Sequence, residues 1–180
     1  MKAKSATRHE VIIAGIGGTG SMIIGQILAK AGAKIYKHAL WNPSMTVARR
    51  GAPADCTVIL SNEEIASPFL FRLDTVLMTE SSRLKVFEDR AKPRGLIILE
   101  TTGLREEVQR KDVKVMRVPG VEIAAKVGDP LARNMVMLGA YVEATKVVPP
   151  ELVEEEIKNR FKGTLQDINS RAFIEGVKLI

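Results

Sequence analysis

The residues best suited to chemistry in this chain are Gly15, Gly17, Gly18, Thr19 and Gly20. They form Gly15-Ile16-Gly17-Gly18-Thr19-Gly20, after the apolar run Val11-Ile12-Ile13-Ala14 and before Met22-Ile23-Ile24 and Ile27-Leu28. Strand, glycines, helix is the order in which N–H groups at a helix N-terminus hold a phosphate or other anion. The same order also serves as a plain tight turn, and the spacing alone leaves both readings open. In the ligand reading, Gly15 makes the turn, Gly17 or Gly18 admits the ligand, and Gly20 packs helix on strand. An NAD site also needs a carboxylate ~20 residues further on to hold the ribose. Here that region runs from Lys34 to Trp41 without one, and no Asp or Glu occurs between Val11 and Ala54. The sequence therefore argues against NAD. It leaves open an independent NADP- or nucleotide-binding protein with Lys34, Lys37 or Arg49 on a 2′-phosphate, or a stand-alone regulatory binding module.

Other reactive side chains are few. Cys56 is the sole cysteine, and His9 and His38 are the only histidines. An iron–sulfur cluster held by this chain alone is excluded, because it needs about four thiolates. No nucleophile–base pair is credible, so no catalytic residue is assigned, and no metal site. Cys56 lies in Cys56-Thr57-Val58-Ile59-Leu60 and reads as a small core residue. A second segment, Trp41 to Pro53, follows the second expected strand and carries Trp41, Met45, Arg49 and Arg50, side chains enriched at interfaces. Its prolines and Gly51 argue for a loop.

Bulk properties set the frame. With 180 residues, 46% hydrophobic and 27% charged, the chain reads as one globular domain over residues 1–180. Aromatics at 4% are too sparse for a base-stacking platform, so no nucleic-acid partner is expected. The net charge of +6 gathers in the first third, through Lys30, Lys34, Lys37, Arg49 and Arg50. The N-terminus has no signal-peptide pattern, and no run approaches the ~20 apolar residues of a membrane span. The expected location is cytoplasmic.

Those features require an alternating scaffold. Strands are expected at Glu10–Ala14, Lys34–Leu40, Cys56–Leu60, Asp74–Met78, Gly95–Leu99 and Val113–Val118. Helices are expected at Thr19–Ala31, Ser82–Arg90, Val121–Val127, Leu131–Ala144, Pro150–Phe161 and Leu165–Val177, with a further helix cap at Ser61–Glu64. Short apolar strands between helices predict an α/β fold: a three-layer α/β/α, Rossmann-like arrangement whose mostly parallel sheet has helices on both faces. Gly25, inside the first helix, costs about 1 kcal/mol against alanine and calls for a close neighbour.

Taken in order, these segments resemble the gamma subunit of the 2-oxoacid:ferredoxin oxidoreductases, which act on pyruvate, 2-oxoglutarate or ketoisovalerate. The glycine loop matches Gly-x-Gly-Gly-Gln-Gly, with Thr19 in place of glutamine. Pro43-Ser44 and Arg50-Gly51 match a Pro-Ser-Tyr-Gly…Glu…Arg-Gly-Gly segment, in which Met45, Thr46, Ala48 and Ala52 are departures. Cys56 to Ser61, Glu64-Ile65, Ser67-Pro68 and Asn134 to Ala140 follow the family's later elements. The resemblance implies a subunit that carries no cofactor alone. Thiamine diphosphate, Mg²⁺ and iron–sulfur clusters would sit on alpha and beta subunits and a ferredoxin-like delta unit. The assembled complex would use coenzyme A and pass electrons to ferredoxin. It also implies a substrate- or partner-facing loop at Pro43, Ser44, Arg50 and Gly51. Trp41, Met45, Asn134, Met137 and Tyr141 are expected at subunit contacts, with dimerisation of the chain when alone.

Overall fold

The computed structural model describes residues 8–45 and 51–180. One six-stranded sheet organises them, in the order β2-β3-β1-β4-β5-β6. The strands are β1 (Arg8–Ala14), β2 (His38–Met45), β3 (Ala54–Ser61), β4 (Leu73–Met78), β5 (Ala91–Glu100) and β6 (Lys114–Val118). β1, β4, β5 and β6 are parallel neighbours, whereas β3 runs antiparallel to both β1 and β2. The expected α/β sheet is present, mostly parallel, with one reversed strand.

That reversal moves the segment expected as a loop. Lys34 to Lys37 form turns after the first helix rather than a strand, with Ile35 and Tyr36 N–H donating to the Gly32 carbonyl. The strand begins at His38 and runs on through Trp41, Asn42, Pro43 and Ser44, in register with β3. Pro43 is tolerated because β2 is an edge strand, where a missing N–H breaks no ladder bond on the open side. Ser61 to Glu64 form no helix. Ser61 still pairs in the sheet, and its Oγ accepts the Glu63 N–H at 2.9 Å.

Helices α1 (Ser21–Gly32), α3 (Gly120–Val127), α4 (Arg133–Thr145), α5 (Pro150–Arg160) and α6 (Gly163–Val177) cover one face. Their core residues, among them Ile24, Ile27, Leu28, Val136 and Leu138, meet Val11, Ile13, Cys56, Val58 and Leu60. α4 lies between sheet and helices, so its residues from Asn134 to Val142 are all buried. This corrects the interface expectation for Asn134, Met137 and Tyr141: their side chains lie inside this chain and offer no surface to a partner. α4 crosses α6 at a glycine pair. A Cβ added to Gly139 would overlap the Phe173 carbonyl, and one added to Gly176 would overlap that of Val136.

The other face is thinner. The helix expected at Ser82–Arg90 breaks into a 3-10 turn, the four-residue α2 (Leu84–Phe87) and a second 3-10 turn. Ile12, Leu73, Val76, Met78, Leu84, Phe87, Ile97 and Leu99 make its small core. Phe69 and Phe71 stand outside it, 82% and 76% exposed. Arg90 donates to the carbonyls of Leu70 and Phe71 and so fixes the backbone that displays them.

Candidate functional site

The glycine loop leaves β1 at the carboxyl end of the parallel strands, where open α/β sheets present their ligand sites. Gly15 permits a close approach: a Cβ there would come within 2.7 Å of Thr79 Oγ1 and of Ser21 Oγ. Gly18 and Gly20 have φ of 88° and 90°, a turn that only glycine makes without strain. Beside Gly20, the Asn134 amide nitrogen donates to the Thr19 carbonyl and ties α4 to the loop.

Much of the loop's hydrogen bonding is already used. Gly15 N–H donates to Asp55 Oδ1 at 3.1 Å. Gly17 N–H donates to the Ala52 carbonyl, Gly51 N–H to the Gly17 carbonyl, and Ala54 N–H to the Gly15 carbonyl. Thr19 turns inward, its N–H and Oγ1 both donating to the Ile16 carbonyl. The loop is thus stitched to residues 51–55. What stays on offer is the first turn of α1, where the N–H groups of Ser21 and Met22 have no intrahelical acceptor by construction.

Asp55 ends the acid-free stretch of the sequence. Its Oδ2 accepts from Arg83 Nη2 at 3.0 Å, and Arg83 lies 5.0 Å from the Phe87 ring centroid. Burial pushes the Asp55 carboxyl above its ordinary range, against the opposing pull of Arg83 and the Gly15 N–H. Sequence reasoning missed Asp55 and Arg83. The one available signal was that the first carboxylate after the glycines stands at the start of β3.

A cavity of about 770 Å³ opens beside the loop. The glycine loop, Met22 and Ile23 form one wall, and Leu131, Met135, Phe161, Leu165 and Asn169 form the other. Leu131 and Leu165 are 70% and 55% exposed at its rim. No described Lys or Arg lines it, and Asp129 does, so its chemistry is apolar with a few polar groups. A bay of about 640 Å³ lies on the thin face, lined by Asn42, Pro43, Ser44, Thr57, Phe69, Phe71 and Arg90. The structure therefore puts Gly17, Gly18, Thr19 and Gly20 at one cavity and Pro43 and Ser44 at another. Gly51 joins the first through the Gly17 carbonyl. Arg49, Arg50 and the Met45 side chain lie outside the described residues. Trp41 is half-buried over Gly25, where an added Cβ would lie 2.9 Å from its Nε1 and 2.5 Å from Cys56 Sγ. Cys56 is core, its thiol pushed up to about 12 by burial.

The topology also explains the missing ribose carboxylate. In a dinucleotide fold the second strand lies beside the first, so its end reaches the glycine loop. Here β3 separates β2 from β1, which adds one strand spacing of about 4.8 Å. Lys34 sits before β2, at the opposite end from the loop, and pairs with Glu155 at 2.9 Å and Glu156 at 2.7 Å. The NADP alternative has no support from Lys34. Among the described residues, no helix is long and apolar enough to cross a membrane.

Comparison with known proteins agrees with this geometry. Residues 10–179 match the pyruvate ferredoxin/flavodoxin oxidoreductase family. The 2-oxoglutarate synthase subunit KorC of Methanothermobacter marburgensis is 33% identical, over 96% of this chain and 97% of that one. The pyruvate/ketoisovalerate oxidoreductases common subunit gamma of Pyrococcus furiosus is also 33% identical, over 91% and 92%. The fold overlays 2-oxoglutarate:ferredoxin oxidoreductase from Magnetococcus marinus, with 2-oxoglutarate, coenzyme A and succinyl-CoA bound, at a TM-score of 0.86 and 21% identity. That overlay covers 97% of this chain and 31% of the other, so there the same fold is part of a longer polypeptide. With the family match over residues 10–179 and gamma-type relatives matched over more than nine-tenths of both chains, the chain belongs to the pyruvate ferredoxin/flavodoxin oxidoreductase family, as a gamma subunit of the 2-oxoacid:ferredoxin oxidoreductases.

Proposed function

We propose that this subunit completes a 2-oxoacid:ferredoxin oxidoreductase without carrying its redox chemistry, and that its glycine-loop cavity receives part of coenzyme A. Thiamine diphosphate and clusters belong to companion subunits of alpha and beta type, with a ferredoxin-like unit leading electrons to ferredoxin. The cluster does not fit here, since one cysteine cannot supply about four thiolates. The observation that carries the ligand reading is the cavity's makeup: apolar walls from Met22, Ile23, Leu131, Phe161 and Leu165, facing the first-turn N–H groups of α1. An amide-bearing, flexible arm with an apolar body suits it better than a bare dinucleotide. The chain's part in the reaction is to bind and orient that arm and to exclude water around it.

Phe69 and Phe71 supply the natural docking point for a companion subunit, because two fixed, exposed aromatics leave apolar surface to be covered. The test is assembly. Tagged chain expressed in its source should co-purify with a thiamine-containing, cluster-bearing partner and with coenzyme A-dependent 2-oxoacid oxidation, and the chain alone should be inactive. Phe69→Ser with Phe71→Ser should lose the partner and keep the fold by circular dichroism. Activity in the isolated chain, or recovery without any such partner, would refute the subunit reading.

A further inference from the structure

We infer that Asp55 is a positioning residue that sets the shape of the glycine-loop cavity. The inference rests on the reading of that cavity as a coenzyme A site. Asp55 lines the thin-face bay rather than the glycine-loop cavity, and it acts on that cavity through the loop. Its Oδ1 takes the Gly15 N–H at 3.1 Å, and its Oδ2 is held by Arg83 at 3.0 Å. The adjoining backbone repeats the tie. Ala54 N–H donates to the Gly15 carbonyl at 3.1 Å, and Ser21 Oγ donates to the Ala54 carbonyl at 2.9 Å. Ser21 is the first residue of α1. The start of β3 thus grips the loop at Gly15 and again at the helix N-terminus, on either side of the residues lining the cavity.

Two features make Asp55 the centre of this grip. Gly15 N–H and its bond to Asp55 are buried, so removing the carboxylate takes away the acceptor that this donor has in the folded chain. Arg83 belongs to the thin face of the sheet, where it stacks on Phe87. Asp55 therefore links the start of the glycine loop to the 3-10 turn that leads into α2 on the thin face. Without it, Gly15 N–H loses its acceptor and the loop relaxes away from β3. The Ser21 and Met22 N–H groups then shift relative to Leu131 and Leu165, which belong to other elements and stay in place.

The test is steady-state kinetics of the assembled complex, with coenzyme A and the 2-oxoacid varied separately. Asp55→Ala should raise KM for coenzyme A about tenfold and leave kcat and KM for the 2-oxoacid within about twofold. Asp55→Asn keeps a carbonyl for Gly15 N–H and should return KM for coenzyme A to within about threefold of the native value. A merely structural role would move kcat and both KM values together, and that result would overturn the inference. Leu165→Glu, at the exposed rim, should raise KM for coenzyme A by itself. If it does so while Asp55→Ala does not, the positioning role is wrong and the cavity reading stands. If Leu165→Glu has no effect, the cavity reading fails, and the inference with it. Should Asp55→Ala not assemble, Ser21→Ala cuts the parallel tie and should raise the same KM about threefold; no change there would also overturn the inference.

Discussion

Among the places where glycine permits a close approach in this molecule, two have opposite results. At the α4–α6 crossing, Gly139 and Gly176 face each other's helix backbone, and an added Cβ would run into a carbonyl on either side. No space remains, and the contact sits over the Val136 and Phe173 core. At the carboxyl end of β1, Gly15 and Gly20 face side chains instead, those of Ser21, Thr79 and Asn134. There a cavity of about 770 Å³ remains. At the crossing, backbone-to-backbone approach makes a closed seam, whereas at the loop the glycines border an opening.

The comparison breaks most readily at the seam. Gly139→Leu must push α6 off α4, because neither carbonyl can move without disrupting its helix. We expect a loss of about 3 kcal/mol or more, beyond the usual cost of overpacking. Urea denaturation of the isolated chain reads it as a lower midpoint with an unchanged slope. Gly176→Leu should cost about as much, and the double variant less than the sum, since the two positions share one contact. Additive losses would mean that the two glycines act separately.

A smaller effect is expected at the loop. Gly20→Val places a β-branched residue at φ 90° with Asn134 Nδ2 3.1 Å from its Cβ. The strain should cost about 1–3 kcal/mol. Its signature is functional, however: coenzyme A affinity of the complex should fall by more than the stability loss alone accounts for. Calorimetric titration beside thermal melts separates the two. A stability loss with unchanged affinity would make the loop a plain turn.

How much of this was legible in the sequence follows from the same contrast. Periodicity revealed the strands and long helices because each buries a continuous apolar set, and α1, α4, α5 and α6 lie close to where the pattern places them. The reversed β3 was not legible. Cys56 to Leu60 reads as a buried strand whichever way it points, and direction is settled only by pairing with both β1 and β2. The expected loop at Trp41 to Ser44 failed for the same reason, since Pro43 breaks a strand only where both edges are paired. At the site, glycine spacing located the loop, but nothing local announced that its N–H groups are taken by Ala52 and Asp55. Those partners are long-range. Met137 and Tyr141 look like interface residues by type, and only the layering of α4 under α6 makes them core.

The smallest expected effect concerns charge at the loop, and it sharpens the comparison because the close contacts at the seam are backbone on backbone. Burial raises the folded Asp55 carboxyl above the ordinary 3.8, against Arg83 and the Gly15 N–H. Below 3.8 Asp55 is protonated both folded and unfolded. As pH climbs above 3.8, the unfolded chain releases its proton first, so the folded chain holds more protons and stability falls. The fall ends once folded Asp55 has also ionised. Glu80, raised by burial despite Arg133, contributes in the same sense from 4.5 upward. Exposed Asp112 and Glu122, lowered by Arg110 and Lys126, act oppositely just below 3.8 and 4.5, weakly because solvent screens them. Asp55→Asn removes only the first contribution. Urea midpoints from about pH 3.5 to about pH 7 should therefore show the native chain losing ground to Asp55→Asn as pH rises through that window, then running parallel to it. The sign is informative. If the native chain instead gains on the variant as pH rises, Arg83 and the Gly15 N–H outweigh burial, and Asp55 grips the loop as a stabilising carboxylate rather than a strained one.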